Sequence, residues 1–297
     1  VIDSPDAAAL EGVVLSIGNF DGVHVGHRML LDRMRELADA SGRPAMVLTF
    51  FPPAKVVFGH ATFLNSAEEK LDLLQPYRPD VVAMVPFSRE YARTDKRSFT
   101  DQLRVLAPHA IIVGEDFRFG HGREGGLNDL SPIAQRLEAF GLKTLEGEVV
   151  KSSHVRDHLA QGHIVRANAL LGAPYPVRGT VAHGDARGAS IGFPTANVHT
   201  DERKALPLGV YAVRVEAPQG TFDGMANVGP RPSFPDEVPS LEVHLFDFDD
   251  DLYGTVITTR FHAFLRAQRR FEGLADLQAQ LARDAQAARR ALRPPGA

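Results

Sequence analysis

The chain has 297 residues, of which 44% are apolar and 24% charged, and its 33 basic against 37 acidic side chains leave a net charge of −4. These values exclude a mainly disordered, collagenous or coiled-coil protein, and no basic excess exists to drive adhesion to nucleic acid or an anionic membrane. The absence of cysteine excludes a disulfide framework, a thiol nucleophile and every cysteine-based metal site. At ~150 residues per domain the length suits about two domains. No apolar run approaches the roughly 20 residues that span a bilayer, and Val1 to Leu10 lacks a basic region followed by an apolar stretch. A cytoplasmic protein without a membrane or nucleic-acid partner is the expectation.

The N-terminal half alternates strand and helix signals. Val13 to Ile17 reads as a buried strand, and Met29 to Ala40 carries apolar residues at helical spacing. Ala45 to Phe50 is a second strand, stopped by Pro52-Pro53, and Ser66 with Glu69 forms a capping-box pattern before a helix through Leu74. Val81–Val85 and Ala110–Val113 add strands, with a helix around Phe99 to Leu106 between them. Such alternation predicts a parallel sheet covered on both faces, with ligands beyond the carboxyl ends of its strands. The loops after Ile17, Phe50 and Val113 are therefore the first places to look.

Beyond Leu171 the texture changes. Gly172-Ala173-Pro174-Tyr175-Pro176 reads as a linker, which places the domain boundary between residues 172 and 173. Gly179–Ala182, Val210–Val215, Thr221–Asn227, Leu241–Phe246 and Thr255–Phe264 are strand-like and separated by turns without helices, which predicts a small sandwich or closed barrel. Leu274, Leu277, Leu281, Ala285, Ala288 and Leu292 mark one face of a final amphipathic helix.

Two constellations carry chemistry. Gly18-Asn19-Phe20-Asp21-Gly22-Val23-His24-Val25-Gly26-His27 joins the first strand to the first helix. Its glycines permit tight turning and close backbone approach, and the start of a helix favours phosphate. His24 and His27, three apart, fall on one side of the first turn and can both donate to phosphate oxygens. Two histidines at this spacing are commonly surface decoration; inside a glycine loop between strand and helix they point to charge stabilisation during phosphoryl chemistry. In the second half, Gly192-Phe193-Pro194-Thr195-Ala196-Asn197 follows a glycine-rich turn, and Leu241-Glu242-Val243-His244-Leu245 alternates so that Glu242 and His244 share a face.

The HxGH string resembles the signature of the nucleotidyltransferase superfamily, and Gly18 to His27 is closer still to the N-terminal module of bacterial riboflavin kinase/FAD synthetases. Val113-Gly114-Glu115-Asp116-Phe117-Arg118-Phe119-Gly120, followed by Arg123, is similar to that family's flavin- and nucleotide-contacting loop, and Ser152-Ser153-His154-Val155-Arg156 to its Ser-Ser-Thr-x-Ile-Arg motif. FPTAN at 193–197 is close to diagnostic of riboflavin kinases, and Asn227-Val228-Gly229-Pro230-Arg231-Pro232-Ser233-Phe234 resembles a further kinase motif. The resemblance implies a Rossmann-like α/β nucleotidyltransferase domain over 1–172 and a β-barrel riboflavin kinase domain with a C-terminal helix over 173–297.

It also implies roles. Riboflavin would be phosphorylated to FMN with ATP and Mg²⁺, giving ADP, and FMN would then be adenylylated to FAD with loss of pyrophosphate. Glu242, His24 and His27 are the implied catalytic residues. Gly18, Asn19, Phe20, Asp21, Gly22, Gly26, Ser152, Ser153 and Arg156 would bind nucleotide, as would Thr195 and Asn197, which would also hold Mg²⁺. Asp116, Phe117, Phe193, Asn227 and Arg231 are candidates for the flavin.

Departures from the family pattern define the alternatives. Thr49-Phe50-Phe51-Pro52-Pro53-Ala54 stands where the family has Thr-Phe-Asp-Pro-His-Pro, so Pro53 replaces a third active-site histidine. Lys151 replaces a serine, Ser153 a threonine and Gly126 an aspartate. Ala189 takes the place of an arginine that neighbouring Arg187 could replace. The alternatives are a kinase with an impaired first module, a different HxGH transferase, and a non-catalytic flavin-binding regulator. FPTAN and the barrel-like second half argue against another HxGH transferase.

Overall fold

The computed structural model describes residues 1–8, 10–183, 192–229 and 239–294. Its contacts divide the chain into two compact units, Val1–Ser152 and Ser153–Ala297.

In the first unit, β1 (Val14–Ile17), α1 (Val25–Ser41), β2 (Ala45–Phe51), α2 (Ala54–Val57), α3 (Ala67–Leu74), β3 (Val81–Pro86), α4 (Lys96–Arg104), β4 (Ala110–Gly114), α5 (Leu127–Leu130) and β5 (Arg136–Phe140) follow in order. The five strands form one parallel sheet, β3-β2-β1-β4-β5. Strand alternation sends Leu15, Ile17, Met46, Leu48, Ile111 and Val113 to one face, where Phe99 and Leu103 of α4 pack. Val14, Ala45, Val47 and Ile112 go to the other, under Leu30, Leu31 and Met34 of α1. Both faces are covered, as the alternation predicts. The capping box of α3 is present, with Ser66 accepting from Glu69 N and the Glu69 carboxylate accepting from Ser66 N. β5 has no counterpart among the predicted strands: it is an edge strand of sequence RLEAF, pairing on one side only, and it shows little apolar alternation. A two-stranded hairpin, β6 (Thr144–Leu145) and β7 (Glu148–Val149), follows.

The Ser152-Ser153-His154-Val155-Arg156 stretch is helical, at the start of α6 (Ser152–Ala160), which is followed by α7 (Ile164–Leu171). Gly172 is not the start of a linker but the left-handed cap of α7, at φ +72°. Tyr175 and Pro176 already belong to β8 (Tyr175–Ala182), with Tyr175 fully buried and its hydroxyl donating to Ala205 O at 2.7 Å. The remaining strands are β9 (Ala196–His199), β10 (Gly209–Ala217), β11 (Gly220–Gly229), β12 (Ser240–Leu245) and β13 (Val256–Arg266). With β8 they close a six-stranded antiparallel barrel in the order β10-β11-β12-β9-β8-β13. Tyr211, Val213, Val228, Leu241, Val243 and Phe261 are buried within it.

The final helix, α8 (Leu274–Leu292), lays Ala288 and Leu292 on Ala212, Met225 and Phe246. It is pinned by Asp284, which is 3% exposed and accepts two hydrogen bonds from Arg266 of β13 onto Oδ2 at 2.8 and 2.9 Å.

Candidate active sites

Parallel strand order aligns the carboxyl ends of β2, β1 and β4 along one sheet edge, so the loops that follow them sit together. The β1–α1 loop is held in a conformation its side chains do not favour, with Phe20 at φ +44°, Val23 at +42° and Gly22 at +87°. Surrounding groups impose it. Phe20 is fully buried, and its ring lies so close to Gly18 that a Cβ there would meet it at 3.2 Å. Asn65 accepts a hydrogen bond from Gly22 N, and the buried Asp21 carboxylate accepts one from Leu64 N at 2.8 Å. Ser152 Oγ donates to Asp21 O at 2.8 Å.

His24 is the N-cap of α1, and its Nδ1 accepts from His27 N at 3.2 Å. The two imidazoles stack at 3.6 Å and 12°, and Phe20 meets His27 edge-on at 5.2 Å. Gly26 admits this arrangement, because a Cβ would lie 3.3 Å from the His24 ring. Burial pulls His24 down to about 4; burial, then His24 and Lys70 nearby, hold His27 well below the ordinary histidine range. Both rings are therefore neutral at pH 7. With Nδ1 accepting, His24 carries its proton on Nε2, which makes that atom a donor. His27 Nδ1 is buried with no hydrogen-bond partner among the described residues.

Stability should follow this geometry. Between 6.5 unfolded and about 4 folded, the unfolded chain binds more protons at His24, so its contribution is present above pH 6.5 and is lost as pH falls towards 4. Thermal melts of the intact chain should show this slope, and His24→Asn, which keeps a capping side chain, should flatten it; an unchanged slope would show that His24 is not its source.

After β4, Phe117 N closes a tight turn onto Gly114 O at 3.0 Å, leaving Asp116 exposed and Phe117 half-buried against Phe119. Ser152 and Arg156 share a face of α6 at i, i+4 spacing, with Ser153 beside them. Pro53 is buried as the N-cap of α2, and its carbonyl accepts from Val56 N at 2.8 Å.

In the barrel, the register sets Glu242 of β12 directly opposite Asn197 of β9 on one side and Asn227 of β11 on the other. Directly opposed residues in antiparallel strands share a face, with Cβ atoms about 5 Å apart. Asn197, Glu242 and Asn227 thus form a row across three strands, on the side opposite buried Leu241 and Val243. Thr195 lies two residues before Asn197, half-exposed. His244 holds the entering segment by donating from Nδ1 to Pro194 O at 2.7 Å, with Phe193 edge-on at 5.3 Å. Phe193 packs against the cluster under α8. Gln268 Nε2 donates to Asn227 Oδ1 at 3.0 Å, its amide occupying the space a Cβ on Gly229 would take. Arg231, Arg187 and Ala189 fall outside the described residues. Among the described residues no group of three or more His, Cys, Asp or Glu could hold a metal.

The FAD synthetase family profile fits residues 6–156 and the riboflavin kinase profile residues 171–292. The bifunctional riboflavin kinase/FMN adenylyltransferase of Escherichia coli K12 is 40% identical over 95% of this chain and 93% of its own length. The chain belongs to the bifunctional riboflavin kinase/FMN adenylyltransferase family. Family members of the same name from Pseudomonas fluorescens and Listeria monocytogenes are 36% and 34% identical, covering 96% and 92% of this chain and 94% and 90% of their own. A crystal structure described as a macrolide-efflux protein from Streptococcus pneumoniae superimposes with a TM-score of 0.87 at 28% identity, covering 97% of each chain. Among the described residues, no helix is long and apolar enough to cross a membrane. Two residues that support the β1–α1 loop of this riboflavin kinase/FMN adenylyltransferase family member, Asn65 and Lys70, are not marked by any motif. Only Asn65 offered a signal, as a short polar side chain just before a helix cap.

Proposed function

We propose that residues 173–297 phosphorylate riboflavin and residues 1–172 convert the FMN so formed to FAD, each step consuming one ATP. The order follows from charge: adenylylation needs a nucleophilic phosphate, which phosphorylation creates. In the barrel, Glu242 orients the primary ribityl hydroxyl and receives its proton as the oxygen bonds to the γ-phosphorus and ADP leaves. Thr195 and Asn197 hold the nucleotide phosphates, and Asn227 and Arg231 the flavin. Mg²⁺ fits this site, because hydroxyl and amide oxygens are hard donors and Mg²⁺ is commonly held by few protein groups together with phosphates. Bound there, it would supply charge neutralisation across the β- and γ-phosphates.

In the first half, an FMN phosphate oxygen attacks the α-phosphorus of ATP, the bond to the bridging oxygen breaks, and pyrophosphate departs. His24 and His27 stabilise the charge that develops on the α-phosphoryl oxygens. Gly18 to Gly22 and Gly26 shape the loop that receives the phosphates, Ser152, Ser153 and Arg156 bind the triphosphate, and Asp116 and Phe117 meet the flavin.

The row Asn197–Glu242–Asn227 is the observation that carries the reading, since it unites residues from three separate motifs in one register. Positional labelling tests it. Label from the γ-phosphorus of ATP should enter FMN and label from the α-phosphorus should enter FAD; the reverse pattern, or label in neither, would refute it.

Pro53 bears on the second step. A histidine there would restore one charge-assisted donor, of the kind worth about 1.5–3 kcal/mol. Pro53→His is expected to raise the FMN-to-FAD rate about tenfold, a conservative share of that energy, and to leave FMN formation unchanged. No gain in a direct rate comparison would mean that another group already fills the role.

A further inference from the structure

Lys70 of α3 has no place in the reaction just described, yet its side chain is completely buried. Its Nζ donates to Asn19 O at 2.8 Å, to Phe50 O at 2.7 Å and to Thr49 Oγ1 at 3.3 Å. Thr49 Oγ1 itself donates to Asn19 O at 3.1 Å. These acceptors belong to two segments, the start of the β1–α1 loop and the end of β2, so the ammonium joins them from below. Three acceptors match the three protons of a charged lysine, whereas a neutral amine would leave one contact without its proton.

The consequence lies in the peptide that Lys70 grips. A trans peptide directs its C=O and N–H to opposite sides. Fixing Asn19 O inward therefore fixes the Phe20 N–H outward, at the residue whose positive φ marks the strained part of the loop. The charged and titratable groups facing Lys70 are Asp21, of opposite sign, and His27, which its charge helps to keep neutral.

We infer that Lys70 is a positioning residue for adenylyl transfer, a buried cation that clamps the phosphate loop to the end of β2 and sets the orientation of the Asn19–Phe20 peptide. The inference rests on the assignment of adenylyl transfer to the first half. It predicts that the clamp weakens when Lys70 loses its proton; desolvation brings Lys70 down to about 8, against partial compensation from Asp21.

The absence of cysteine makes a clean test possible. Lys70→Met should lower kcat for FAD formation about 10- to 100-fold, as expected for a displaced reacting geometry, with a smaller change in KM for ATP and no change in FMN formation. Lys70→Cys provides the chain's sole thiol. Alkylating it in the unfolded chain with 2-bromoethylamine and refolding rebuilds a lysine-like side chain with a less basic amine. FAD formation should return, and the basic limb of its pH profile should move to lower pH than in the wild type. Wild-type kcat in Lys70→Met, or failure of aminoethylation to restore FAD formation while FMN formation persists, would overturn the inference. If the variants do not fold, the wild-type profiles decide: a basic limb near pH 8 in FAD formation but not in FMN formation supports the clamp, and its absence refutes it. A wild-type chain that forms no FAD would sink the functional assignment itself.

Discussion

Glu242→Gln is expected to reduce riboflavin phosphorylation by about 100-fold or more, the usual scale for losing a positioned acid–base group. The substitution keeps the shape of the side chain and its place between Asn197 and Asn227, so the row should survive while the proton acceptor is lost. A ribityl hydroxyl is a weak acid, and its proton leaves late in the displacement; the carboxylate therefore matters both as an acceptor and as a hydrogen-bonding guide. The fall should appear in kcat, with the KM for ATP little changed, because Thr195 and Asn197 are untouched. Supplied with FMN instead of riboflavin, the same variant should form FAD at the wild-type rate. Equal loss of both activities would contradict separate sites.

The converse should hold for His27→Ala. Removing one preorganised donor aimed at developing phosphoryl charge typically costs about 10²–10³ in rate, and FAD formation should fall by that amount while FMN accumulates. Alanine also removes the stack on His24 and the edge contact with Phe20, so part of the loss could come from the loop. His27→Asn separates the effects: its amide retains a donor but not the ring. Recovery of a measurable part of the rate in His27→Asn would assign the loss to hydrogen bonding, and rates equal to alanine's would assign it to ring packing. Unimpaired FAD synthesis in His27→Ala would remove the histidine pair from the mechanism.

Much of this architecture was legible because its signals are local. The alternating strand and helix periods of the first half, the Ser66–Glu69 cap and the period-two pattern around Glu242 each need only neighbouring residues to be recognised. What escaped depends on partners distant in sequence. β5 is a strand because Ile111 and Val113 of β4 lie beside it, not because RLEAF favours one. Tyr175 looks like part of a Pro/Gly linker until Ala205 O supplies a partner for its hydroxyl 30 residues away. Lys70 reads as an ordinary solvated helix lysine; what buries it are carbonyls some 20 and 51 residues earlier. The histidine pair was legible as a motif, but not its state: the two rings are stacked and neutral, and His24 caps α1.

The most direct measurement follows riboflavin and Mg-ATP with the purified chain by chromatography over time. FMN should rise first and then give way to FAD, with ADP and pyrophosphate released in amounts matching the two transfers. A mixture in which riboflavin remains unchanged, or in which FAD appears without FMN ever preceding it, would contradict two sites acting in sequence.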